Sequence, residues 1–203
     1  MRDNMMKTRR VFLNFLAALM LLPVLAMPAS AISKAEAESL INKLSAEILS
    51  IINSGKSENS MFRDFEKMFG RYADVPTIAR SSLGVARRSA SASQMRSYQK
   101  AFAGYISRKY GKRFREFIGS TITVTKSQKT KRGYLVTSRV KFVGSTAFVV
   151  EWQVSDASGK DKMFDLIIEG ISMLRLEREE VGQMLDRRGG DVNKLIGHLK
   201  TAS

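Results

Sequence analysis

Few residues in this chain are equipped for chemistry. The 203 residues include one histidine, His198, and no cysteine. A histidine-based triad or a His/Cys metal site therefore has almost nothing to draw on. Asp165 and Glu169 lie four apart in a stretch that reads as a strand, so they share a face and could form a carboxylate pair for acid–base work. The competing reading puts one at a strand edge and the other at a corner, each bonded to backbone or to a basic partner. No glycine-rich loop joins a strand to a helix, which removes the usual nucleotide fingerprints.

The elements that would position these groups fall into two halves. Ser33 and Glu36 form a capping box, followed by Leu40, Ile41, Leu44, Ile48, Ile51 and Ile52 at helical spacing up to Gly55. A second helix opens at Ser60, with Phe62, Phe65 and Phe69 on one face and Gly70 as its stop. Asp74 and Pro76 start a third that ends at Leu83-Gly84. Ser91 and Gln94 cap the longest helix, whose stripe runs from Met95 through Tyr98, Phe102, Ile106 and Tyr110 to Phe117. Such an aromatic stripe is ordinarily plain core. Its other side carries Arg96, Lys100, Arg108, Lys109, Lys112, Arg113 and Arg115.

From about Thr121 the period becomes two, giving strands around Ile122–Val124, Tyr134–Phe142, Thr146–Val154 and Met163–Glu169. Short connections make them antiparallel neighbours. Glu169-Gly170 breaks the last strand, and Ile171, Ser172 and Met173 lead into a helix through Leu176, Val181 and Leu185. Asp191 caps a final short helix. The fold class is α+β: one domain, with helices packed on a face of an antiparallel sheet of about four strands.

Ahead of this domain, Lys7, Arg9 and Arg10 precede an apolar run, Val11–Leu25, and a small-residue ending, Ala29-Ser30-Ala31. This is the pattern of a secretory signal peptide cut after Ala31, leaving a domain of residues 32–203 in the periplasm. The fifteen-residue run, at about 1.5 Å per residue, falls short of the roughly 30 Å needed to span a bilayer. The leader accounts for +3 of the net charge of +15, leaving +12 on the mature chain. Export argues against a nucleic-acid partner and for contact with anionic membrane surfaces or acidic proteins; the alternative is charge that only keeps the surface solvated.

Three segments together resemble the MlaC family of periplasmic phospholipid-binding proteins: Asp74–Gly84 (DVPTIARSSLG), Ser89–Tyr110 (SASASQMRSYQKAFAGYISRKY) and Phe164–Ser172 (FDLIIEGIS). One departure is that Lys162-Met163 stands where the family commonly has a tryptophan before the aromatic-Asp pair; Trp152 does not replace it position for position. The resemblance implies an NTF2-like or cystatin-like fold with curved sheet and deep apolar pocket. It also implies a non-enzymatic, monomeric carrier without cofactor that holds acyl chains inside and the headgroup outside. Such carriers shuttle phospholipid between an outer-membrane lipoprotein–porin complex and an inner-membrane ABC transporter complex. The expected wall is Leu83, Phe102, Ile106, Trp152, Ile168 and Ile171. Rival readings are a carrier of hopanoid or another hydrophobic compound, an NTF2-like enzyme using Asp165 or Glu169 as base, and a scaffold whose core is filled.

Overall fold

The structure, a computed structural model, describes residues 31–203. The expected leader lies, but for Ala31, outside them. Helices come first: α1 (Lys34–Ile52), α2 (Glu58–Tyr72), α3 (Val75–Ser82) and α4 (Ala92–Gly111), with single-turn 3-10 segments at Gly84–Arg88 and Phe114–Phe117. Strands β1 (Thr121–Thr130), β2 (Gly133–Lys141), β3 (Phe148–Ser155), β4 (Lys162–Ile168) and β5 (Ile171–Ser172) follow, then α5 (Met173–Asp186) and α6 (Val192–Leu199).

Local chemistry explains most boundaries. Both expected capping boxes form, Ser33 with Glu36 on α1 and Ser91 with Gln94 on α4. The Asp74 carboxylate caps α3 by accepting from the Thr77 N–H, with Pro76 in the first turn. At α2 the expectation is corrected at both ends. The helix starts after Ser57 and runs through Gly70, where an added Cβ would meet nothing within 4 Å, to Tyr72. A tertiary bond ends it instead: Ala73 turns extended and bridges to Met163, and the Asp74 N–H donates to the Met163 carbonyl at 2.8 Å. The α4 stripe is also shorter than expected. It stops at Gly111, where a Cβ would lie 2.4 Å from the Phe62 ring, and Phe117 sits on the following 3-10 turn.

The sheet is a meander, β1-β2-β3-β4-β5, antiparallel throughout. Register shifts at Val124/Lys126 and Gln153/Val154 interrupt two ladders, and such irregularities bend and twist a sheet. The expected four strands become five because Glu169 (φ 48°) and Gly170 (φ 81°) form a two-residue turn with both angles positive, the geometry that suits tight hairpins. Ile171 is thereby folded back to pair with Ile168 before α5 begins. Glu169 tolerates this conformation because its N–H donates to the Val149 carbonyl (3.2 Å) and its carboxylate accepts the Val149 N–H (2.6 Å). Residues 31–203 form one compact unit, with the helices over the sheet face that carries Val136, Val140, Val150, Trp152 and Val154.

Candidate functional site: an apolar cavity between helices and sheet

Helices and sheet do not close completely on each other. Between them lies a cavity of about 380 Å³, walled by α1–α4, the start of α5, the Phe114–Phe117 turn and the inner face of β1–β4. Its volume falls within the roughly 300–1,000 Å³ of small-molecule sites. Almost the whole lining is hydrocarbon. The charged residues on it are Arg113, Asp165 and Glu177.

Of the expected wall residues, Phe102 and Ile106 stand there from α4, Trp152 from β3 and Ile168 from β4. Phe102 is wholly buried between two tyrosine rings, with centroids at 5.8 Å (Tyr98) and 6.4 Å (Tyr105). The Trp152 indole N–H donates to the Ser138 hydroxyl at 2.8 Å, which lets a polar atom sit inside this wall without cost. Two expected residues are not in the wall. Leu83, 4% exposed, is buried at the end of α3, and Ile78, nearer the start of that helix, takes the wall position. Ile171 is 53% exposed. The tight turn places it on a two-residue edge strand, and Met173 and Leu174 of α5 supply the wall beyond it.

Sequence reasoning missed the contribution of the first two helices and of the loops at one end of the sheet. Leu44, Ile48, Phe65 and Met68 line the cavity, although the apolar stripes carrying them were visible. A stripe shows which face is buried, not whether the space it faces is filled. Phe117, Phe142 and Phe148 form a ring cluster at the sheet end where β1 and β3 begin and β2 and β4 finish. Centroids are 4.6 Å apart for the first pair and 5.0 Å for the second. All three line the cavity and are only partly buried, so the wall reaches solvent there. Exposed Ile118, Val143, Val149 and Ile171 stand at the same end.

The basic side of α4 is exposed at Arg96, Lys100 and Lys112, while its remaining cations and those of the turn that follows have partners. Arg108 donates to the carbonyls of Leu199 and Ala202, closing the end of α6. Lys109 bonds Glu177 at 2.7 Å and Glu180 at 2.5 Å, Arg113 pairs with Glu116 at 2.9 Å, and Arg115 faces Glu58 at 3.8 Å. The two strand carboxylates are likewise committed. Asp165 accepts the N–H groups of Leu166 and Leu174 and the Ser172 hydroxyl, at 2.7–3.0 Å, and Glu169 holds Val149.

The family model described as MlaC protein matches residues 42–201. The chain belongs to the MlaC family. Among relatives, it is 27% identical over 192 residues to the toluene tolerance protein ttg2D of Pseudomonas putida, covering 93% of this chain and 87% of that protein. Among solved structures it is similar to a phospholipid-binding protein from Ralstonia solanacearum in complex with a phospholipid. That likeness has a TM-score of 0.69 at 18% identity, over 80% of this chain and 94% of the other, and shows that the two share the fold. An MlaC-family α+β fold thus encloses the cavity, and among the described residues no helix is long and apolar enough to cross a membrane.

Proposed function

We propose that this protein is a periplasmic carrier that holds phospholipid acyl chains in the cavity. On this reading it moves them between an inner-membrane ABC transporter complex and an outer-membrane lipoprotein–porin complex. The observation that carries the reading is the cavity itself. A folded domain seldom leaves hundreds of cubic ångströms of hydrocarbon-lined space unfilled, because unpacked side chains forfeit dispersion contacts. Acyl chains restore those contacts, and each methylene removed from water contributes about 0.8 kcal/mol. Family membership and the phospholipid in the Ralstonia protein of the same fold support phospholipid as the occupant.

Removal of a leader after Ala31 fits the fold. Ile32 is the first buried residue among the described ones, and its N–H donates to the Asp156 carboxylate at 2.9 Å. A new amino terminus at Ile32 would put an ammonium against that carboxylate. The cavity's aromatic end is the side suited to a membrane surface. Its apolar tips, Ile118, Val143, Val149 and Ile171, share that end with Arg139, set opposite Val149 by the register, and Lys141, and neither cation takes part in an ion pair among the described residues. Protein stripped of lipid and incubated with phospholipid vesicles tests the reading. After separation from the vesicles it should carry diacyl phospholipid, and protein that stays empty under these conditions rules the carrier role out.

A further inference from the structure

Of all the residues that line the cavity, Arg113 alone is exposed; the others are buried or half-buried. It is also the one cation on the lining. Its side chain is 69% exposed, so it belongs to the wall and to the surface at once. Arginine suits such a rim, because its methylene stem can lie along hydrocarbon while the guanidinium stays hydrated. Arg113 opens the turn that supplies Phe114 and Phe117 to the wall, with Phe114 against Phe65 at 4.9 Å and Phe117 against Phe142 at 4.6 Å. The guanidinium thus stands where the wall gives way to solvent.

Its partner there is a weak one. Nε and Nη2 donate to one oxygen of Glu116, at 3.0 and 2.9 Å, and Nη1 makes no hydrogen bond among the described residues. Glu116 is itself 56% exposed, and an exposed ion pair within one turn contributes little. The segment Lys112–Glu116 carries three cations against one carboxylate. Glu58, which faces Arg115, adds a second carboxylate, and the turn stays net positive. An anion arriving here is attracted, and it competes with a carboxylate that is easily displaced.

Building on the carrier reading above, we infer that Arg113 binds the phosphodiester of the carried lipid at the cavity rim, exchanging Glu116 for it. Acyl chains packed against the wall leave the glycerol phosphate as the first charged group beyond the hydrocarbon, with the headgroup outside. A guanidinium matches phosphate oxygens with paired N–H donors. Every glycerophospholipid has this phosphate, whatever its headgroup. Arg113 therefore selects phospholipid over neutral two-chain lipids without discriminating among headgroups.

Lipid-stripped protein is offered phosphatidylcholine vesicles holding equal minor amounts of phosphatidylethanolamine, phosphatidylglycerol and diacylglycerol with identical acyl chains. Bound lipid is quantified by mass spectrometry. Arg113→Gln should lower the ratio of bound phospholipid to diacylglycerol about fivefold, the scale of one exposed charged contact. The balance between phosphatidylethanolamine and phosphatidylglycerol should hardly move. Glu116→Gln, which frees the guanidinium, should raise the first ratio, an effect that a merely structural Arg113–Glu116 pair would not produce. An unchanged phospholipid-to-diacylglycerol ratio in Arg113→Gln, a fall in Glu116→Gln, or a change confined to the two headgroups overturns the inference and leaves the carrier reading standing. Inorganic phosphate alone, followed by phosphorus NMR on lipid-free protein, separates the sources of the anion. Arg113-dependent line broadening without any effect on the lipid ratio marks a free-anion site and overturns the inference too. Uptake of no lipid by wild type overturns both readings. Should Arg113→Gln fail to fold, Glu116→Gln and Arg113→Lys decide, the lysine being expected to keep part of the preference.

Discussion

Ile168 and Ile171 are partners across the β4–β5 turn, yet they have different surroundings. Ile168 lines the cavity, and Ile171 projects into solvent. Ile171→Glu should therefore change stability by no more than about 0.5 kcal/mol and leave bound lipid unaltered. Ile168→Glu should keep a melting temperature near that of the wild type but lose co-purified lipid, because a carboxylate among acyl chains is either desolvated or protonated. Thermal melts with lipid extraction distinguish the two. Retention of lipid by Ile168→Glu would remove that residue from the binding wall. Ser138→Ala should cost about 1–3 kcal/mol, since it strands the buried Trp152 N–H. The Trp152–Ser138 bond was beyond sequence reading, because the two residues lie on different strands and only the register brings them together. The family motif placed Ile168 and Ile171 in one wall. Which side of the turn still faced the cavity depended on a turn type that Glu169-Gly170 permits without dictating.

The elements were more legible than the space between them. Capping boxes at Ser33 and Ser91, the Asp74-Val75-Pro76 start of α3 and the period-two runs of β2 and β3 are local signals, and local physics places them correctly. Gly70 misled because a glycine inside a helix is only mildly unfavourable. The end of α2 is set by the bond between Asp74 and Met163, about ninety residues away in sequence. Asp165 shows the same long-range logic. From β4 it accepts the Leu174 N–H near the start of α5 and the hydroxyl of Ser172, which itself caps that helix. Asp165→Ala should thus cost about 3 kcal/mol, against about 1 kcal/mol for the cap-only change Ser91→Ala. Chemical denaturation compares them, and equal losses would show that Asp165 does not tie β4 to α5.

For the whole molecule, one end of the sheet gathers the aromatic wall, the apolar tips and the cations Arg139 and Lys141, unpaired among the described residues, and the proposed carrier role puts ligand entry and membrane contact on that face. Replacing both Ile118 and Val143 by Ser should slow lipid exchange with anionic vesicles several-fold without lowering the lipid carried at equilibrium, and added salt should slow wild-type exchange too. Exchange that ignores both changes would place the contact elsewhere. The opposite end bears on maturation. Asp156→Asn should lower the melting temperature of protein beginning at Ile32 more than that of the uncut chain, because only the former offers an ammonium to that carboxylate. The central claim is that the cavity holds phospholipid chains, and native mass spectrometry of the freshly purified mature protein tests it most directly. The account predicts a bound species at the mass of one or more diacyl phospholipids, released on activation and depleted in Ile168→Glu. Bare polypeptide alone, under conditions that keep a known lipid carrier loaded, would contradict it.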